Sequence, residues 1–71
     1  MKKEERQNLA TYLRWGDKTT IAKLAGVDRR TVEKWLAGEV KNSTAAPYII
    51  AFANKRKIEI EKLISAQFAN Q

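Results

Sequence analysis

The sequence predicts a small all-α domain of four or five helices, closing with an extended C-terminal helix. Three observations carry that reading. Apolar residues recur at the i, i+3, i+4 spacing of a helix face in successive segments. The three glycines, Gly16, Gly26 and Gly38, fall between those segments, and from Pro47 onward neither glycine nor proline interrupts the chain. At 71 residues there is room for one domain, residues 1–71, with 45–69 as a C-terminal helix serving core packing and dimerisation. A domain this small buries only a marginal amount of apolar surface alone, so a partner subunit would help it.

The first helix is expected over residues 3–15, where Leu9, Tyr12 and Leu13 make a short apolar stripe and Gly16 supplies the stop. Trp15, at its end, either packs on the core or lies flat against a backbone; core packing, the commoner fate of a tryptophan at a helix end, is the one expected. The second helix runs from about Lys18 to Ala25 with Ile21, Ala22 and Ala25 inward, and the third from about Arg29 to Ala37 with Val32, Trp35 and Leu36 inward. Asp17 and Asp28 stand where a carboxylate caps the first amides of each helix and meets the positive end of its dipole. Between the two lies Ala25-Gly26-Val27: a small residue, a glycine free to adopt positive φ, and an apolar plug for the angle between the helices. Gly38 ends the third helix.

Glu39 to Thr44 is a polar connection in which Ser43 or Thr44 can cap the next helix while Pro47 fits its first turn. Beyond it Ile49, Phe52, Ala53, Ile60, Leu63 and Ile64 share one broad helical face, interrupted by Asn54-Lys55-Arg56-Lys57. Two readings are open: one long helix whose second half projects, or a break near Asn54 and a fifth helix folded back. The long helix is favoured because the heptad-like positions Ile50, Ala53, Lys57, Ile60 and Ile64 are unbroken by any turn residue. Ile60, Leu63, Ile64 and Phe68 are the expected homodimer surface; the competing reading has them complete the monomer's own core. Ile58 fits neither.

Formal net charge is +6, and the excess lies upstream of residue 58, since the remainder carries only Lys62 against Glu59 and Glu61. A basic surface argues for an anionic partner or simply for solubility. No apolar run approaches the roughly 18 residues that span a bilayer, and the charged start of the chain has no secretory pattern. A soluble, cytoplasmic protein without a membrane partner is expected. Without histidine or cysteine, zinc sites, imidazole bases and thiol nucleophiles are ruled out, and no glycine-rich phosphate loop is present. The expectation is a non-enzyme with no metal and no cofactor. A small-molecule ligand is not expected either, because no second domain is present to hold a pocket.

Residues 18–35 resemble the helix-turn-helix of the phage-repressor-like family, the lambda repressor and Cro type. The residues that carry the likeness are Ile21 and Ala22, Gly26 and Val27, a small polar cap at Asp28, the β-branched Val32, and Trp35 ahead of Gly38. The chain departs from the pattern at Asp28, where serine or threonine is more usual, and at Lys18, where glutamine is. The resemblance implies that the third helix is a recognition helix whose first turn enters the major groove. Arg29 and Arg30 stand at that turn and Lys34 one turn on; a guanidinium can bind O6 and N7 of guanine together, although phosphate contact without sequence information is a serious rival. Glu33 either accepts from a cytosine amino group or holds an arginine in place.

Phosphate binding is implied for Lys18, Thr19 and Thr20 at the start of the second helix, for Thr31, and for Lys41, Asn42 and Ser43 past the third. Lys55, Arg56 and Lys57 reach a flanking phosphate or form a solvated patch. The expected function is therefore a sequence-specific regulator of transcription that binds double-stranded DNA, most simply a Cro-like repressor of a phage or mobile element on a palindromic operator. Two alternatives stand beside it: a recombination or packaging factor of the excisionase or small-terminase kind, and a protein-binding helical adaptor or antitoxin-like module.

Overall fold

The computed structural model describes residues 2–69, with side chains through Gln67. Four helices follow one another, α1 (Lys3–Tyr12), α2 (Asp17–Ala25), α3 (Arg29–Leu36) and α4 (Ala46–Ala69), and the described residues contain no strand. α1 packs on α3 and α4, and α2 packs on the same two helices. Among the described residues α1 and α2 are thus bridged by the other pair without packing on each other. Ile21, Ala22, Val32, Trp35, Leu36, Ala45 and Ile49 form the buried centre, which Leu9, Leu13, Val27, Ile50 and Phe52 cover in part. Ile21, Val32 and Ile49 are wholly enclosed, each contributing about 2 kcal/mol by area removed from water.

α1 ends at Tyr12 and not at Trp15. Leu13 takes extended backbone (φ −72°, ψ 137°) to keep its side chain on the core while the chain leaves the helix axis. The next four residues make a turn in which the Asp17 amide donates to the Arg14 carbonyl at 3.0 Å, with Gly16 at φ 90°, ψ −18° in third place. That is the type II pattern, whose third position requires positive φ. Trp15 is consequently the outward corner of a turn, and its side chain is 100% exposed; the expected core packing does not occur.

Asp17 is not the cap expected of it. Gly16 occupies the N-cap position of α2, and the Asp17 carboxylate points backward to accept the Arg14 amide at 2.8 Å. The same carboxylate receives Arg56 from α4 through both oxygens, each at 3.1 Å. Arg56 also donates to Glu59 at 3.0 Å. Of the 55–57 charge run, then, Arg56 is turned inward as a tie between α4 and the start of α2, while Lys55 and Lys57 are exposed. The Arg56 guanidinium holds the Asp17 carboxyl below its ordinary value, against the opposing effect of burial.

The connection from α2 to α3 follows the glycine pattern. Gly26 is left-handed (φ 70°), the Val27 amide reaches back to the Ala22 carbonyl at 3.0 Å and the Gly26 amide to Lys23 at 3.3 Å. This is a Schellman closure, with Val27 folded down onto the core as its apolar partner. Gly38 (φ 80°) closes α3 the same way, through Glu39 to Lys34 at 2.9 Å and Gly38 to Trp35 at 3.0 Å. Asp28 does occupy the N-cap position of α3 in extended backbone, but its carboxylate makes no capping hydrogen bond.

Arg6 locks this hairpin from behind. Although charged it is buried, donating to the carbonyls of Trp35 (3.2 Å), Val40 and Lys41 (2.9 Å). Its guanidinium also lies 4.4 Å from the centre of the Trp35 ring, a cation–π contact. Ser43 Oγ accepts the Ala45 amide at 3.1 Å ahead of α4, and Pro47 falls in its first turn.

α4 is one helix of 24 residues, roughly 36 Å long at the α-helical rise. Ile49 and Ala53 are buried in its first half, whereas Ile60, Leu63 and Ile64 are 40%, 61% and 47% exposed. The monomer's core is therefore not where the second half of the apolar face goes. Ile58, on the other face, is half exposed. The Phe68 side chain lies outside the described residues.

Candidate nucleic-acid interface

α3 has two chemically opposite faces. Val32, Trp35 and Leu36 are buried, fixing the rotation of the helix about its axis, and Arg29, Arg30, Glu33 and Lys34 are thereby all exposed. Because the Asp28 carboxylate caps nothing, the first amides of α3 have no side-chain acceptor at the end where the two arginines stand. Arg30, Glu33 and Lys34 border a shallow depression of about 280 Å³ together with Ala37 and Glu39. Arg29 lies slightly apart: its Nε donates to Glu33 Oε1 at 3.2 Å, one turn on.

At the start of α2, Thr19 and Thr20 are exposed and Lys18 is half-buried. The Thr20 hydroxyl donates to the Gly16 carbonyl at 3.2 Å, which leaves its oxygen lone pairs outward but its proton engaged. Lys18 and Arg29 border one depression of about 270 Å³ with Arg14 and Trp15, so the first turns of α2 and α3 are neighbours on one side of the molecule. Thr31 is half-buried on α3. Lys41 and Asn42 are exposed beyond α3, and Ser43, half-buried, has its oxygen committed to the Ala45 amide. Lys41 is positioned through its backbone, whose carbonyl Arg6 holds.

Two residues that organise this surface were not given that role by the sequence: Arg6 was not a candidate at all, and Arg56 was expected at a flanking phosphate or in a solvated patch. Arg6 falls three and four positions before Leu9 and Ala10, on the apolar side of α1; a charge on an apolar stripe was the signal that could have found it. Arg56 likewise follows Phe52 and Ala53 by four and three. The carbonyl partners of Arg6 and the Asp17 partner of Arg56 are 29 to 39 residues away, which no local pattern reports.

Among the described residues no cluster of three or more acidic, histidine or cysteine side chains could hold a metal, and no helix is long and apolar enough to cross a membrane. Comparison of the chain with family models, with curated proteins and with solved structures gives no match in any of the three.

Proposed function

We propose that this chain is a sequence-specific regulator of transcription that binds double-stranded DNA as a homodimer, most simply a Cro-like repressor of a phage or mobile element on a palindromic operator. The observation that supports it is α3: an eight-residue helix with one face clamped in the core and Arg29, Arg30 and Lys34 presented together on the other. In the complex the first turn of α3 enters the major groove, Arg30 binds guanine O6 and N7, and Glu33 steers Arg29 toward base or phosphate. Lys18, Thr19, Thr20, Thr31, Lys41, Asn42 and Ser43 contact the flanking backbone, and no catalytic step is involved. A repressor so placed acts by occupying the site that polymerase needs.

The homodimer is formed by Ile60, Leu63, Ile64 and Phe68 of α4, which sets the two recognition helices about 34 Å apart, one turn of duplex. The exposed outer half of α4 also favours a second reading, a helical adaptor whose partner covers that half. Selection of bound sequences from random duplexes at two salt concentrations, with sedimentation of the free protein, separates them. Recovery of a palindrome that persists at the higher salt, from a dimeric protein, is the expected result. Recovery of no motif, with binding that vanishes as salt rises, overturns the operator reading and puts the adaptor first. An Ile60→Asp, Ile64→Asp chain is expected to sediment as a folded monomer, to lose most operator affinity, and to melt at a lower midpoint that no longer depends on protein concentration.

A further inference from the structure

A tryptophan held wholly in solvent is unusual, and Trp15 is held there by the backbone around it and not by a loose end. Its turn is closed by the Asp17 amide on the Arg14 carbonyl at 3.0 Å and by the Arg14 amide on the Asp17 carboxylate at 2.8 Å. That carboxylate is in turn gripped twice by Arg56. The backbone that carries the indole is thus fixed, so that burying the ring on binding has only its two side-chain torsions to order.

Its surroundings state the kind of partner. Trp15 borders the depression that contains Arg14, Lys18 and Arg29, three cations with no carboxylate in the lining. Arg14 lies 3.6 Å from the half-buried Glu59, which Arg56 also holds, Arg29 is hydrogen-bonded at 3.2 Å to the exposed Glu33, and Lys18 enters no ion pair among the described residues. Asp17, the acid nearest in sequence, is already neutralised by Arg56. An apolar plate among cations complements a polyanion that also offers flat apolar faces, and the sugar-phosphate backbone of duplex DNA offers both.

We propose that Trp15, Lys18 and Arg29 form a backbone grip beside the recognition helix. The indole lies against a deoxyribose and the two cations engage the phosphates on either side of it. This rests on the DNA-binding reading above and extends it to a residue that reads no base.

The test uses the full chain, which has only two tryptophans, Trp15 and Trp35. Trp35 is 3% exposed, so quenching of tryptophan emission by neutral acrylamide reports Trp15 alone. With a random-sequence duplex of about 20 base pairs, long enough for two half-sites, Trp15 becomes shielded as the duplex binds. Trp15→Ala weakens binding of every duplex by roughly tenfold, as expected when a partly covered ring is removed, and Trp15→Phe by less. Because the indole is neutral, the slope of log affinity against log salt is unchanged in Trp15→Ala but falls by about one in Lys18→Ala. If the duplex binds and Trp15 remains open to quencher, the grip is wrong and the DNA reading stands. If no duplex binds even at low salt, both are wrong. Shielding that grows with protein concentration without DNA assigns Trp15 to a contact between copies and overturns the grip.

Discussion

On the inner side of α3, Arg6 is buried, stacked on Trp35 and bonded to three backbone carbonyls; on the outer side, Arg29 and Arg30 stand in solvent, one held only by Glu33 a turn away. The residue type is the same and the physical role is opposite. A guanidinium has five donors in a fixed plane, which suits it equally to filling a set of carbonyls or to reading a base edge. What decides between the two is whether the acceptors are supplied by the fold. Inside, the carbonyls of Trp35, Val40 and Lys41 converge where α3 ends and the chain turns toward α4, and Arg6 answers them. Outside, the fold supplies a single carboxylate, Glu33, to Arg29, and most of the donors face solvent.

That contrast can be broken most severely at Arg6. Arg6→Ala is expected to cost roughly 3 kcal/mol of folding stability, because three carbonyls are left without their donor and the Trp35 ring without its cation. Urea unfolding would measure it. Arg6→Lys recovers little, because one ammonium cannot span three carbonyls. A destabilisation under about 1 kcal/mol would mean that water replaces the guanidinium without penalty.

The second inner arginine has a pH signature. The Asp17 carboxyl is held below its ordinary value of 3.8, chiefly by the hydrogen bonds from Arg56. A lowered carboxyl contributes stability that is complete above its unfolded value and is lost as pH falls through the folded one. The protein is therefore expected to weaken as pH drops below about 3.8, and Asp17→Asn to be weaker at neutral pH but flatter through that acid range. Thermal midpoints taken at several pH values below 5 provide the check; parallel curves for the two chains would show that the tie carries no stability.

Least in stability, though not in selectivity, is the outer pair. Arg30→Ala is expected to change folding free energy by less than about 0.5 kcal/mol, while lowering discrimination at one base pair per half-site by about 1–3 kcal/mol. Competition binding with single-base operator variants reads this directly. Unchanged selectivity with only a shallower salt dependence would make Arg30 a phosphate contact.

The same contrast explains what could be read from the residues in advance. The hairpin was legible because each of its devices is local: the inward stripes of Ile21, Ala22, Val32, Trp35 and Leu36, and glycines at Gly26 and Gly38, where the backbone turns left-handed. The unity of α4 was legible from the lack of any breaker after Pro47. Local rules failed where a distant partner prevailed over a nearby one. Asp17 had the position of a cap, but Arg56 lies across the fold and turns its carboxylate the other way. Trp15 had the composition of a core residue, yet Leu13 takes the core position and the type II corner carries Trp15 outward. The groove and backbone roles proposed for α3 and its neighbours rest on chemistry that only bound DNA can display.

Arg6 and Arg56 carry a last implication, for anyone wishing to move the hairpin elsewhere. Residues 17–38 look like a portable cassette, self-contained between two glycine closures. They are not. Lifted onto another scaffold, the segment would arrive with the Asp17 carboxylate stripped of Arg56 and the Trp35 ring and carbonyl stripped of Arg6. A graft that keeps the segment's geometry has to bring both arginines with it, one from ahead of the hairpin and one from behind.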